Sequence, residues 1–394
     1  MSALNGIKVL DLTRVLAGPY STMILGDLGA EVIKVEAPGG SDDTRYWGPP
    51  FKGTESAYYL CANRNKRAIT LNLKSEEGIE VLKKLIKRSD VVVENFKSGT
   101  MEKWGLSYDE MKTINKEIIH CSITGFGQNG PYKNLPGYDF IIQAMSGLMS
   151  ITGNNQSGPV KVGVAISDII TGLYANIGIL AALQERTRSG EGQSIDISLF
   201  DSQISALANV ASNYLISGNI PGLLGNKHPN IVPYQPFPTL DGEMVVAVGN
   251  DGQFKKLCIL LELETLLTDN KYTTNSKRLE NREELVKILT KRMKTRTSNE
   301  WLLLLNEIGI PAGPIQNMEQ VFNDPQVRER NMIVEMEHPT AGNVHLVGSP
   351  LKLSRTPVEI HSHPPVAGEH TDEVLAEIGY STDRILALKD NKFI

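Results

Sequence analysis

The sequence predicts a layered α/β fold: a mostly parallel sheet covered by helices on both faces, followed by a smaller α/β unit. Three observations predict it. Short apolar runs recur through the first 200 residues, helical patterns separate them, and the composition changes near residue 200. Strands that alternate with helices imply βαβ units, whose crossovers bury the sheet on both faces.

The strands are expected at 7–12, 31–35, 68–73, 91–96, 118–124 and 194–199, each an apolar run of strand length. The clearest helix is 76–87, where Ile79, Leu82, Leu85 and Ile86 share one face. A helix rich in small residues is expected at 201–217, closed by Gly218. The Pro-, Gly- and Asn-rich stretch 218–238 then reads as a crossing between domains. A strand at 244–248 and helices near 253–261, 282–294 and 299–308 form the smaller unit, and a last helix is expected at 371–378. The division is therefore 1–200 for the first part of the large domain, 201–238 for the linker, 239–318 for the small domain and 319–394 for a return segment. A chain of 394 residues exceeds what one core usually organises.

Composition narrows the function classes. Forty Lys and Arg against 45 Asp and Glu give a net charge of −5, the wrong sign for a nucleic-acid surface. No apolar run is read as reaching the roughly 20 residues that span a bilayer. The opening residues enter a strand pattern at once and leave no room for a signal peptide. Cys61, Cys121 and Cys258 have neither metal-ligand nor CxxC spacing, so no metal site is expected and a reduced, cytoplasmic setting fits.

Two segments carry candidate chemistry. Gly125, Gly127 and Gly130 form a GxGxxG after the strand ending at Thr124. A dinucleotide site needs that loop to open directly into a helix, whereas here Pro131 and Pro136 follow. These glycines are expected to permit a tight turn or a close backbone approach. The second segment is 163–172, where Asp168 closes a non-helical stretch and opens a long apolar helix. Asp168 has two readings: an N-cap, for which Asp is favoured, or a nucleophilic carboxylate kept anionic by the helix N-terminus.

The motifs in order settle a resemblance. They are 10–19 (LDLTRVLAGP), 28–36 (LGAEVIKVE), 63–67 (NRNKR), 93–96 (VENF), 125–128 (GFGQ), 137–139 (GYD), the Asp168 segment, 231–235 (IVPYQ), 314–318 (PIQNM) and 368–371 (GEHT). Together they cover essentially the whole chain, which resembles the family III CoA-transferases (CaiB/BaiF type), nearest the succinate–hydroxymethylglutarate (glutarate) type. The resemblance implies a Rossmann-like large domain built from both chain ends, a smaller domain between them, and an interlocked homodimer. It implies CoA transfer (EC 2.8.3.-) from an acyl-CoA such as succinyl-CoA to a free, dicarboxylic acid, through an aspartyl anhydride and an aspartyl-CoA thioester at Asp168. CoA enters as a substrate, with no tightly bound cofactor. The family's CoA contacts fall on Val15, Leu16, Leu71, Lys74, Asn95, Phe96 and Lys103, with Tyr138 near the reacting centre.

The chain departs from the family pattern in places. Ala37-Pro38 stands where the formyl-CoA enzyme has an arginine, with Arg45 a candidate replacement. The stretch 249–254 replaces a glycine run that closes over that enzyme's site, and His228 is a candidate to face substrate. The alternative reaction on this fold is α-methylacyl-CoA racemisation, whose histidine base aligns with Tyr138 here. An unperturbed tyrosine is a poor base at neutral pH.

Overall fold

The computed structural model describes residues 2–394, which divide by contacts into two compact units. The larger holds residues 2–148, 161–208 and 326–394; the smaller holds 149–160 and 209–325. The stretch 209–238, read from sequence as linker, thus groups with the smaller unit, as does the short segment 149–160.

The larger unit contains β1 (Lys8–Asp11), α1 (Ala17–Asp27), β2 (Glu31–Glu36), β3 (Lys66–Thr70), α2 (Glu76–Arg88), β4 (Val91–Glu94), α3 (Thr100–Lys103), α4 (Tyr108–Ile114), β5 (Ile119–Thr124), α5 (Asp139–Met145), α6 (Ile166–Ser189), β6 (Ser194–Ser198) and α7 (Leu199–Ala206). The six strands form one sheet in the order β3-β2-β1-β4-β5-β6, every pairing parallel. The order reverses between β1 and β4, and ligands of such open sheets bind beyond the carboxyl ends of the strands at that switch point.

Local sequence explains these elements. Strand residues alternate between two cores: Leu10 and Val92 pack with Leu82, Leu85 and Leu106, while Val9, Val91 and Val93 pack with Leu25 and Ile179 on the other face. Ser75 caps α2 by accepting the Gly78 N–H, and its first turn is acidic and its last basic. Gly172 lets α6 close on α1, because a Cβ there would lie 2.7 Å from the Ala17 carbonyl oxygen. Ser21 then reaches across to donate to Asn176 Oδ1 at 2.7 Å. At 24 residues, α6 is long and apolar enough to cross a bilayer, which the sequence reading missed, yet here it packs on α1, β5 and β6.

In the smaller unit, α8 (Ala208–Ser217) precedes the antiparallel sheet β7 (Tyr234–Pro238), β8 (Glu243–Ala247) and β9 (Ala312–Pro314), packed by α9 (Asp251–Leu260), α10 (Arg282–Met293) and α11 (Ser298–Glu307). The single helix expected at 201–217 is instead α7 and α8, broken where Ala208 takes a left-handed φ of 42°. A hairpin and the helices Thr371–Glu377 and Thr382–Asp390 complete the larger unit.

Candidate active site

The turn after β1 is built on buried ions. Asp11 accepts hydrogen bonds from Thr13, from Thr22 Oγ1 at 2.7 Å and from Lys66 Nζ at 3.0 Å. Lys34 Nζ donates to the Thr13 carbonyl at 2.8 Å and to Asp42 Oδ2 at 2.9 Å. Burial alone would raise the Asp11 carboxyl, but Lys66, Lys34 and the threonine hydroxyls outweigh it and hold it at about 2. Burial is also the largest influence on Lys66, whose ammonium falls to about 8 despite Asp11. This network fixes an unusual backbone. Val15 adopts φ 71°, which a β-branched residue reaches only at a strain of order 1–3 kcal/mol. Its N–H donates to Asp42 Oδ1 at 3.1 Å, and Asn95 pairs both main-chain groups of Arg14.

Beyond the carboxyl ends of β1, β4 and β5, at the switch point, lies a cleft of about 330 Å³. Val15, Asn95, Phe96, Lys103, Tyr138 and Asp168, all singled out from sequence, line it together. The sequence reading missed Arg14, Lys97 and Lys133, which line it too. Arg14 pairs with Asp43 at 2.9 Å; among the described residues, no carboxylate lies within ion-pair distance of Lys97, Lys103 or Lys133. A wider surface depression of about 510 Å³ lies at the amino ends of the strands and is occupied by ion pairs of Arg67 with Glu31 and Glu377.

Three of the expected contacts lie outside the cleft lining. Leu16 is buried at the N-cap of α1. Leu71 is a correction: it is fully buried against Leu10, Leu12 and Val35 in the core and offers no side-chain surface to a ligand. Lys74 is exposed on the loop after β3, where its N–H donates to Asn72 Oδ1.

Asp168 is not the cap of α6. Ala165 occupies that position, and Asp168 sits in the first turn without a side-chain capping bond. The cap comes from another helix: Asp139 Oδ1 accepts the Ser167 N–H at 2.9 Å, while its Oδ2 accepts from Gln143 at 2.8 Å. Gln143 Oε1 accepts the Val162 N–H at 2.8 Å, so α5 holds the segment that presents Asp168. The expectation of a carboxylate kept anionic by the helix terminus also needs correction. Burial first, and the Asp139 charge second, push the Asp168 carboxyl up from 3.8 to about 7, against a hydrogen bond from the Ala17 N–H. Tyr58, also missed from sequence, is raised to about 12 by burial and then by the Asp168 charge.

The remaining candidates have structural partners. Arg45 is buried, bound to Glu36, the Tyr59 hydroxyl and the Pro365 carbonyl, so it is not available as the substitute arginine. His228 lies in the smaller unit, with Nδ1 accepting the Asn230 N–H. The stretch 249–254 opens a helix: Asn250 caps α9, and buried Phe254 lies under Arg278. Gly125 meets Gly137 backbone to backbone, with room for a Cβ at neither, while Gly127 and Gly130 turn through positive φ. The GxGxxG therefore serves close approach and turning.

Comparison with known proteins identifies the family. The profile of CoA-transferase family III matches residues 4–371. The human succinyl-CoA:glutarate CoA-transferase is 47% identical over 97% of this chain and 87% of its own length. The succinate–glutarate CoA-transferase of Agrobacterium fabrum is 46% identical over 95% of each chain. A crystal structure of a CaiB/BaiF family protein from Brucella suis superposes with a TM-score of 0.83 at 46% identity, covering 96% of this chain and 99% of that one. The chain belongs to CoA-transferase family III.

Proposed function

We propose that this enzyme moves CoA from succinyl-CoA to a free dicarboxylic acid of the glutarate or hydroxymethylglutarate type, with Asp168 as the covalent nucleophile. One observation carries the reading: Asp168 opens onto the same cleft as Arg14, Lys97, Lys103 and Lys133. CoA has phosphates that want cationic donors, and its thioester needs a nucleophile within reach of that anchor.

The Asp168 carboxylate attacks the thioester carbonyl carbon, the C–S bond breaks, and CoA thiolate leaves a mixed anhydride. The thiolate attacks the aspartyl carbonyl carbon and expels the donor as its free carboxylate. An aspartyl-CoA thioester remains, conserving the free energy of the original bond. The acceptor carboxylate attacks that thioester and again releases the thiolate, which attacks the acceptor's acyl carbon and frees Asp168. Poor solvation of the Asp168 anion, evident in its raised pKa, increases its nucleophilicity.

The acceptor class rests on the two similar transferases, both named for glutarate. With succinyl-CoA as donor, glutarate and hydroxymethylglutarate should be turned over at least tenfold faster than formate or oxalate. A competition assay that favours oxalate would contradict this choice of acceptor.

The homodimer is part of the same proposal. Leu173, Tyr174, Ile177 and Leu180 make an exposed apolar stripe along α6, with Ile177 61% exposed. In the smaller unit, Leu215 and Ile216 of α8 are also exposed, Ile216 to 86%. Apolar surface of this kind on a folded chain suits a partner. Sedimentation should give a dimer that persists on dilution, and a stable folded monomer would contradict it.

A further inference from the structure

A polar row crosses the sheet where an all-parallel sheet ordinarily carries apolar side chains. Glu94, Ser122 and Asp196 are direct register partners across β4, β5 and β6, and His120 and Ser194 pair two residues earlier, on the same face. Glu94, His120 and Ser122 are buried, with exposures of 3%, 7% and 2%. They line a second cavity, of about 230 Å³, that shares Lys97, Ser98 and Thr100 with the cleft.

The hydrogen bonds of this row run toward the rim of the cleft. Glu94 Oε2 accepts the Phe96 N–H at 2.7 Å and so closes the turn carrying Asn95, Phe96 and Lys97. Asp196 Oδ2 accepts the Gln128 N–H at 2.9 Å, and Gln128 Nε2 donates to Ser122 Oγ at 2.6 Å, bracing the loop after β5. The other Glu94 oxygen lies 3.6 Å from His120 Nε2, too far for a hydrogen bond. The hydrogen bond from the Phe96 amide is thus the link between the Glu94 carboxylate and the turn.

We propose that Glu94 is a positioning residue for CoA: it acts through the Phe96 amide and sets the Asn95–Lys97 turn against the cleft. The inference rests on the reading of that cleft as the CoA site. Asn95 in turn clamps the Arg14 main chain, so one buried carboxylate is linked to the backbone that carries two cations, Arg14 and Lys97, on opposite sides of the switch point. A group held in place in advance binds better than one ordered on contact.

Calorimetric titration of the full-length enzyme with free CoA separates this role from a structural one. Glu94→Leu removes the acceptor and should weaken CoA about tenfold, while the melting temperature and the rate at saturating substrates change little. Glu94→Gln keeps a carbonyl oxygen for the Phe96 N–H and should restore CoA affinity to within about threefold of wild type. Should the leucine variant fail to fold, Glu94→Asp retracts the acceptor by one methylene and carries the same prediction. Unchanged CoA affinity in Glu94→Leu or Glu94→Asp would overturn the proposal, as would a glutamine variant as weak as leucine. Wild-type enzyme that binds no CoA would instead overturn the reading of the cleft.

Discussion

Asp168→Asn should abolish transfer, reducing the rate by at least several orders of magnitude, while the protein folds normally. The amide is a far weaker nucleophile than the carboxylate, and the covalent intermediates cannot form without it. Folding is spared because Ala165 occupies the cap position and Asp139 accepts the Ser167 N–H. The same variant has a stability signature. Because the fold raises the Asp168 carboxyl from 3.8 to about 7, it favours the protonated form. That share of stability is complete below about pH 4 and is lost as the pH rises through 7. Above that, wild type carries a poorly solvated anion beside Asp139, and the asparagine variant does not. Partial solvent access reduces the difference to on the order of 1–2 kcal/mol. Thermal melts should therefore show the inactive variant more stable than wild type at pH 8 and similar to it near pH 4. A variant that keeps its activity, or that melts lower at pH 8, would sink both arguments.

Asp139→Asn should move the acidic limb of the pH–rate profile. The first chemical step needs the Asp168 anion, so the rate rises with pH through about 7 in the wild type. Asparagine keeps an oxygen for the Ser167 N–H but removes the charge that opposes ionisation of Asp168. Burial, the larger cause, remains, so the limb should shift downward by on the order of one pH unit and no further. Expressed against its own rate at pH 9, the variant should be several-fold faster than wild type at pH 5.5. An unmoved limb would mean that Asp139 acts only as the cap of α6.

Much of this was legible in the residues. Strands buried on both faces read as unbroken apolar runs, as Val91, Val92 and Val93 do, and that gave the sheet. The element that carries Asp168 was visible because a single helix opens there. What the sequence hid is what the fold brings together from afar. Asp139 lies on a separate helix, and Ala17 on the first one, yet together with burial they set the acidity of Asp168. Lys34 interrupts an apolar strand singly and Lys66 opens the next one beside Arg67; only the fold makes them partners of Asp42 and Asp11. Arg14, Lys97 and Lys133 read as ordinary surface cations until the turns after β1, β4 and β5 converge on one cleft. Leu71 misled in the opposite direction, since a residue just past a strand end can still point into the core.

The claim that Asp168 carries the CoA is tested most directly by trapping. Wild-type enzyme is mixed with succinyl-CoA in the absence of any acceptor, treated with borohydride, digested and examined by mass spectrometry. Reduction of an aspartyl thioester should leave the peptide spanning Asp168 with its carboxyl converted to an alcohol, and hydroxylamine should mark the same residue and inactivate the enzyme. An unmodified Asp168 peptide, or a label on another carboxylate, would contradict the account.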